Sequence, residues 1–413
     1  MTDHEPIDPA LWRGLTQSRT ARRSFLKAAG VGAGALSLSS ILAACGTSGV
    51  STSSQGENGV GSASWWSQQP ETKTLNYANW PAYIDTAHGK HPSIEQFTQQ
   101  TGIDVNYTEP INDNTSFFTK IRPDLQAGNY TGYDVIVLTN SDPPLAELIG
   151  AGWAVPLDPT KMPNFKKYAS ALVTDPSWDP GNKFTMAWQS GYTCIGYNTK
   201  YIKEPITSLQ SLFDPKYQGK IGMMGISTEL GSAGLLSIGV DPASSTPDDW
   251  NRAAEKLQSQ KPLVRQYYDQ DYLKALKNED IWISMAWSGD IFQAATYLGY
   301  PTLKAVIPEE GAMFWTDNQL IPVGVENPVA AMTFMDYVYD PEVQAEIEAY
   351  NAYVCPVPSS RPIIAKNGSP EVANSPTVFP DAQQVAISKP YFQFTSAEDL
   401  DQWNNTFEPI YTG

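Results

Sequence analysis

The sequence predicts an α/β protein of two lobes, each built on a mainly parallel sheet, with a ligand cleft between them. Short apolar strands alternate with helices of ten or more residues, which is the pattern of βαβ units. The alternation restarts after Trp188, making a second lobe of similar size. Paired lobes leave a cleft, the preferred place for a small-molecule site. At 413 residues the chain can bury two cores once an N-terminal leader is set aside.

In chain order, TLNYANW (74–80) reads as a strand, HPSIEQFTQQTG as a helix stopped by Gly102, and IDVNYTEP as a strand. A helix follows over 114–127, then the strand YDVIVLT and the helix PPLAELIGAG, stopped by Gly150. Beyond Trp188 come the strands TCIGYN and KIGMMG and a helix near Glu229 to Ile238. The helix TPDDWNRAAEKLQSQ is capped by Thr246 with Pro247 at its first position, and IWISMAW reads as a strand.

Residues 1–44 have the form of a signal peptide. RRSFLK (22–27) is a basic head on an uncharged run from Ala28 to Ala44, which is short and Gly/Ser-diluted for a spanning helix. Arg22, Arg23, Phe25, Leu26 and Lys27 resemble a twin-arginine (Tat) leader, with Ala21 where Ser or Thr is more usual, so the general secretion route stays open. The run ends Leu42-Ala43-Ala44-Cys45-Gly46, which resembles a bacterial lipobox. Lipid on Cys45 would anchor the chain to the outer face of the cytoplasmic membrane, because a diacylglycerol plus an N-acyl chain exceeds the two-chain threshold for stable attachment. Residues 45–71, rich in Ser, Gly, Thr and Gln, read as a flexible tether. Trp65 and Trp66 are its exceptions, suited either to the membrane interface or to docking on the folded part. Cys194 and Cys355 then lie outside the cytoplasm, as a disulfide or as two buried thiols.

The net charge is −17, and without the first 45 residues the chain carries 22 basic and 41 acidic side chains. Such a field disfavours nucleic acid and anionic lipid and favours cationic ligands, although acidity also serves solubility. Only three histidines are present, and phosphate loops, dinucleotide fingerprints, CxxC and HExxH are absent. The sequence therefore names no catalytic residue, no metal ligand and no cofactor.

What it does offer is aromatic residues beside carboxylates in loops after strands: Asn79-Trp80-Pro81-Ala82-Tyr83, Trp287-Ser288-Gly289-Asp290 and Phe314-Trp315-Thr316-Asp317. A ring face attracts a cation by about 0.5 to 2 kcal/mol, and a desolvated carboxylate adds a hydrogen bond of about 1.5 to 3 kcal/mol. Such pairs suit an alkylammonium ligand.

The stretches LNYANWPAYI, EQFTQQTGIDVNY, YDVIVLT, AWQSGYTCIGYN, FDPKYQGKIG, ISMAWSGDIFQA, IPEEGAMFWTDNQLIP and SPEVANSPTVFPDA together resemble the spermidine/putrescine-binding proteins of bacterial ABC importers, over nearly all of residues 72–400. The resemblance implies a type II periplasmic-binding-protein fold with crossings near Trp188, near Asp317 and near residue 360. One lobe would be 72–189 plus 317–360 and the other 190–316 plus 361–413. It implies an aromatic cage of Trp80, Tyr83, Trp287 and Trp315, with Tyr353 a weaker match, and acidic partners at Glu229, Asp290 and Asp317. The partners it implies are a small cationic polyamine and separate permease and ATPase subunits.

Three positions depart from the family pattern: Ala82 replaces an acid, Ser141 an aromatic, and Ile226 an Asp. Loss of a carboxylate favours a diamine, or a cation with a bulkier apolar group, ahead of spermidine, unless Asp85, Asp113 or Asp142 substitutes. Competing readings are the same fold with a sugar, a quaternary ammonium or a ferric ion, and a glycoside hydrolase using Trp platforms and two carboxylates.

Overall fold

The computed structural model describes residues 59–269, 271–394 and 397–413. The leader, the lipobox and Cys45 lie outside the described residues. Buried aliphatic and aromatic positions define the first strands: β1 (Thr74–Ala78) buries Leu75, Tyr77 and Ala78, and β3 (Val135–Thr139) buries its first four residues. β2 (Asp104–Thr108) lies parallel to one side of β1 and β3 parallel to the other. The helices Pro92–Thr101 and Asn114–Ala127 connect them, ending on Gly102 and Gly128 in the left-handed region. Gly150 is not a stop: it is the last residue of the helix Pro143–Gly150, whose cap Ala151 is right-handed, and Gly152 at φ 73° turns the chain.

The second set repeats this logic. β5 (Ile221–Met224) is flanked in parallel by β6 (Val264–Tyr268) and β7 (Ile283–Trp287). The helix Pro247–Gln260 begins with a capping box between Thr246 and Asp249, as its sequence requires.

Joining the two sets are β4 (Thr185–Asn198) and β9 (Ala312–Leu320), which pair antiparallel from Thr185 opposite Leu320 to Thr193 opposite Met313. Every residue of β4 is buried. The pairing shifts register between Ala187 and Gln189, at the crossing expected near Trp188. With β8 (Leu303–Val306) on β4 and β10 (Ser388–Lys389) on β9, the result is one sheet in the order β2-β1-β3-β9-β4-β7-β5-β6. The two separate parallel sheets read from the sequence are thus fused. β4 is covered on both faces, and because the buried polar residues Gln189, Ser190 and Thr193 interrupt its apolar positions, its sequence hides its length. A third segment meets β4 where Val354 bridges to Ser190, ahead of the position near 360.

The stretch read as tether is folded from residue 59 onward. Ser62 caps the helix Ala63–Ser67, accepting from the Trp65 amide at 3.1 Å. Trp66 is 3% exposed, and its Nε1 donates to the Pro156 carbonyl at 3.0 Å. Docking on the body therefore accounts for this tryptophan, since a buried indole needs an acceptor for its N–H. Cys194 and Cys355 are both buried and free, which decides between the two alternatives for them. Among the described residues no helix is long and apolar enough to cross a membrane.

Candidate functional site

Asp317 stands where three strands meet, opposite Thr139 of β3 and Gln189 of β4. The Thr139 hydroxyl donates to its Oδ1 at 2.6 Å and the Tyr83 hydroxyl to its Oδ2 at 2.7 Å. Only 6% of the residue is exposed. Burial pushes its carboxyl up to about 6, opposed by the two hydroxyls and reinforced by the charge of Asp142. Trp315 lies two residues earlier and so projects from the same face of β9. Its indole covers Gly191, where an added Cβ would come 2.3 Å from Cζ2, so no larger residue fits beneath it.

The rings are linked through Tyr353, which follows the left-handed Ala352 at the end of the helix Pro341–Asn351. The Tyr353 ring meets Trp315 at 5.3 Å and Tyr83 at 5.6 Å, both edge to face. Its hydroxyl donates to Asp290 Oδ1 at 2.7 Å, while the Tyr272 hydroxyl donates to Asp290 Oδ2 at 2.6 Å. Asp290 lies in the first turn of the helix Ser288–Thr296, directly after β7. Burial raises its carboxyl and the two tyrosines lower it. Tyr272 also accepts from the Trp287 amide at 3.0 Å and packs edge-on against that indole at 6.0 Å.

Glu229, 5% exposed, occupies the first turn of the helix Ser227–Ser237 after β5. Tyr391 donates to its Oε1 at 2.7 Å. Burial raises its carboxyl to about 7, with Tyr391, Thr193 and Trp287 pulling it down and Asp142 pushing it up. Although Thr193 and Trp287 stand close enough to act, Oε2 makes no hydrogen bond of normal geometry.

The structure therefore brings Tyr83, Trp287, Asp290, Trp315, Asp317 and Tyr353 into one connected set of rings and carboxylates, with Glu229 beside Trp287. Trp80 is placed on the loop after β1, half-buried, with its Nε1 buried and without a partner. Among the described residues no ring pairing ties it to that set. Of the candidate substitutes, Asp85 binds Ser93 at the start of the helix Pro92–Thr101, and Asp113 caps the helix Asn114–Ala127. Their carboxylates serve helix ends, whereas Asp142 acts on Asp317 and Glu229. Sequence reasoning missed Thr139, Tyr272 and Tyr391. Thr139 ends a recognised strand, but the two tyrosines carry no motif and reach the acids only through the fold.

The family described as bacterial extracellular solute-binding protein matches residues 93–380, which include the crossing strands and most of these site residues. The chain belongs to that family. A putrescine-binding periplasmic protein of Pseudomonas aeruginosa is 30% identical over 340 residues, covering 78% of this chain and 88% of that protein. A spermidine/putrescine-binding periplasmic protein of Salmonella typhimurium is 27% identical over 317 residues, covering 76% and 86%. The solved spermidine/putrescine ABC transporter substrate-binding protein of Streptococcus pneumoniae superposes with a TM-score of 0.71 at 24% identity, over 82% of this chain and 98% of that one. This solute-binding protein thus has the periplasmic-binding-protein fold, with the mixed sheet of the type II class. Such proteins are transport components that present a solute.

Proposed function

We propose that this chain is the extracytoplasmic substrate-binding component of an ABC importer for linear polyamines of the putrescine and spermidine class. The observation that carries the reading is the pair of carboxylates Asp317 and Asp290. Each is held by two hydroxyls, and the two are joined by the Tyr353 ring and hydroxyl, with Trp315 and Trp287 alongside. An alkyl chain fits between ring faces while end ammonium groups meet acids already oriented by tyrosine hydroxyls. The names of the relatives from Pseudomonas and Salmonella support the same ligand class.

In this reading residues 72–189 plus 317–360 and 190–316 plus 361–413 form two lobes that close on the ligand about the crossings at 188–190, 316–317 and 354. The permease and ATPase are separate chains. Cys45 carries the lipid that holds the protein at the outer face of the membrane. Replacing Cys45 with Ser should release the exported protein from membranes, and continued pelleting with the membrane fraction would remove the anchor.

The test of function is calorimetric titration with putrescine, cadaverine, spermidine and spermine, with glucose and choline as neutral and quaternary controls. Saturable binding of the amines alone is the expected result. Tighter binding of a sugar or of choline, or turnover of a glycan, would overturn the assignment.

A further inference from the structure

We propose that Gln189 is a further ligand-contacting residue, whose side-chain oxygen takes an N–H from the ammonium group paired with Asp317. This rests on the amine reading of the cleft and adds to it an uncharged contact from β4.

The ladder between β4 and β9 places the side chain. Gln189 stands directly opposite Asp317, and Gly191, opposite Trp315, is the next residue of β4 on the same face. Thr193 continues the row opposite Trp287 of β7. One position along, Ser190 and Thr316 turn to the other face, where their hydroxyls meet at 2.9 Å. Gln189 therefore shares its face with Asp317, Trp315 and Trp287, and the side chains of such a facing pair start about 4.5 to 5.5 Å apart. The register shift between Ala187 and Gln189 brings this about: Trp188 is the extra residue, so Gln189 is the one that falls opposite Asp317.

Two observations point to a ligand at this amide. Gln189 is fully buried, yet neither Nε2 nor Oε1 has a hydrogen-bond partner, and a buried amide is costly to leave unpaired. The second is a count of acceptors. A primary ammonium carries three N–H donors, and a carboxylate offers about four acceptor positions. At Asp317 the Tyr83 and Thr139 hydroxyls fill two of them. Any N–H that Asp317 does not take needs another acceptor, and Gln189 Oε1 is an unpartnered one on the same face. Nε2 is left for Glu348, whose buried Oε1 is also unpartnered and whose carboxyl the Gln189 amide helps to lower.

The experiment is calorimetric titration with putrescine at pH 8 of the full chain and of its Gln189→Met and Gln189→Glu variants. Methionine matches glutamine in length and removes two atoms that pair with nothing, so its thermal midpoint should stay close to the parent's. Its putrescine affinity should fall about tenfold or more. Glutamate restores an acceptor oxygen and should recover affinity to within about threefold of the parent's. A methionine variant that binds putrescine as the parent does, or a glutamate variant that binds it no more tightly than the methionine variant, overturns the contact. A methionine variant that does not fold shows the amide to be a structural partner and overturns it too. A parent chain that binds no amine fails the amine reading itself, whereas a parent that binds putrescine beside an unaffected methionine variant fails only the Gln189 contact.

Discussion

Replacing Asp317 with Asn should weaken ligand binding and at the same time stabilise the empty protein at alkaline pH. Burial raises this carboxyl from 3.8 to about 6, a difference of roughly two units, which corresponds to about 3 kcal/mol. An acid whose folded pKa lies above its unfolded value holds its proton more tightly when folded. The penalty is therefore absent below 3.8, grows as pH rises towards 6, and is complete above that. Asparagine removes it but gives the Tyr83 and Thr139 hydroxyls a poorer acceptor, which costs about 1 kcal/mol. A net gain of about 1 to 2 kcal/mol is expected at pH 8, vanishing near pH 4. Binding moves the other way: a buried ammonium left without its carboxylate loses about 2 to 5 kcal/mol, or roughly 30-fold to several thousand-fold in affinity. Urea unfolding at pH 4 and pH 8 and putrescine calorimetry measure both arms. A variant that binds putrescine as the parent does, or that is less stable at pH 8 than at pH 4 relative to the parent, would refute the reasoning.

Because Glu229 sits at about 7 and Asp317 at about 6 without ligand, binding a cation should expel protons. Affinity should fall about 10- to 100-fold from pH 8 to pH 5.5, and the heat of binding near pH 6.5 should depend on the buffer's ionisation enthalpy. A flat pH profile would show that neither acid meets the ligand. Gly191→Ala places a methyl group where the Trp315 indole lies, so ring displacement should lower amine affinity about tenfold or more, with Trp fluorescence reporting the shift. Glu348 is fully buried with its carboxyl raised to about 8 and Oε1 without a partner. Glu348→Gln should therefore add about 2 to 4 kcal/mol of stability at pH 9 and almost none below pH 4.5, measured by denaturant titration.

Much of the architecture is legible in local pattern. The helix over 114–127 has the bounds expected of it, and Thr246, Pro247 and Asp249 start their helix by chemistry contained within four residues. Gly150 misled because two glycines lie close together, and only the backbone reveals that Gly152 takes the left-handed turn. The tether was read too far because Ser and Gly composition masks a short helix whose stability comes from the contact of Trp66 with Pro156, distant in sequence. At the site, Phe314-Trp315-Thr316-Asp317 does not form the loop after a strand that the sequence suggests: it lies inside β9, where Trp315 and Asp317 share one face. Tyr272 and Tyr391 were not readable, since each meets its carboxylate through a pairing of elements that no local signal encodes.

The amino-acid sequence by itself determined the acidic character of the chain, the alternation that makes an α/β fold, and the pairing of Trp with Asp in short motifs. Those are properties of composition and of periods two and 3.6, which a linear chain displays. Only the tertiary structure decided that the two parallel sets fuse through β4 and β9, that Tyr353 bridges Asp290 to Trp315, and that Tyr391 meets Glu229. Each depends on residues brought together from remote parts of the chain. The strength of a carboxylate in water-poor surroundings depends on which neighbours desolvate it and which hydroxyls reach it, and that is set by packing.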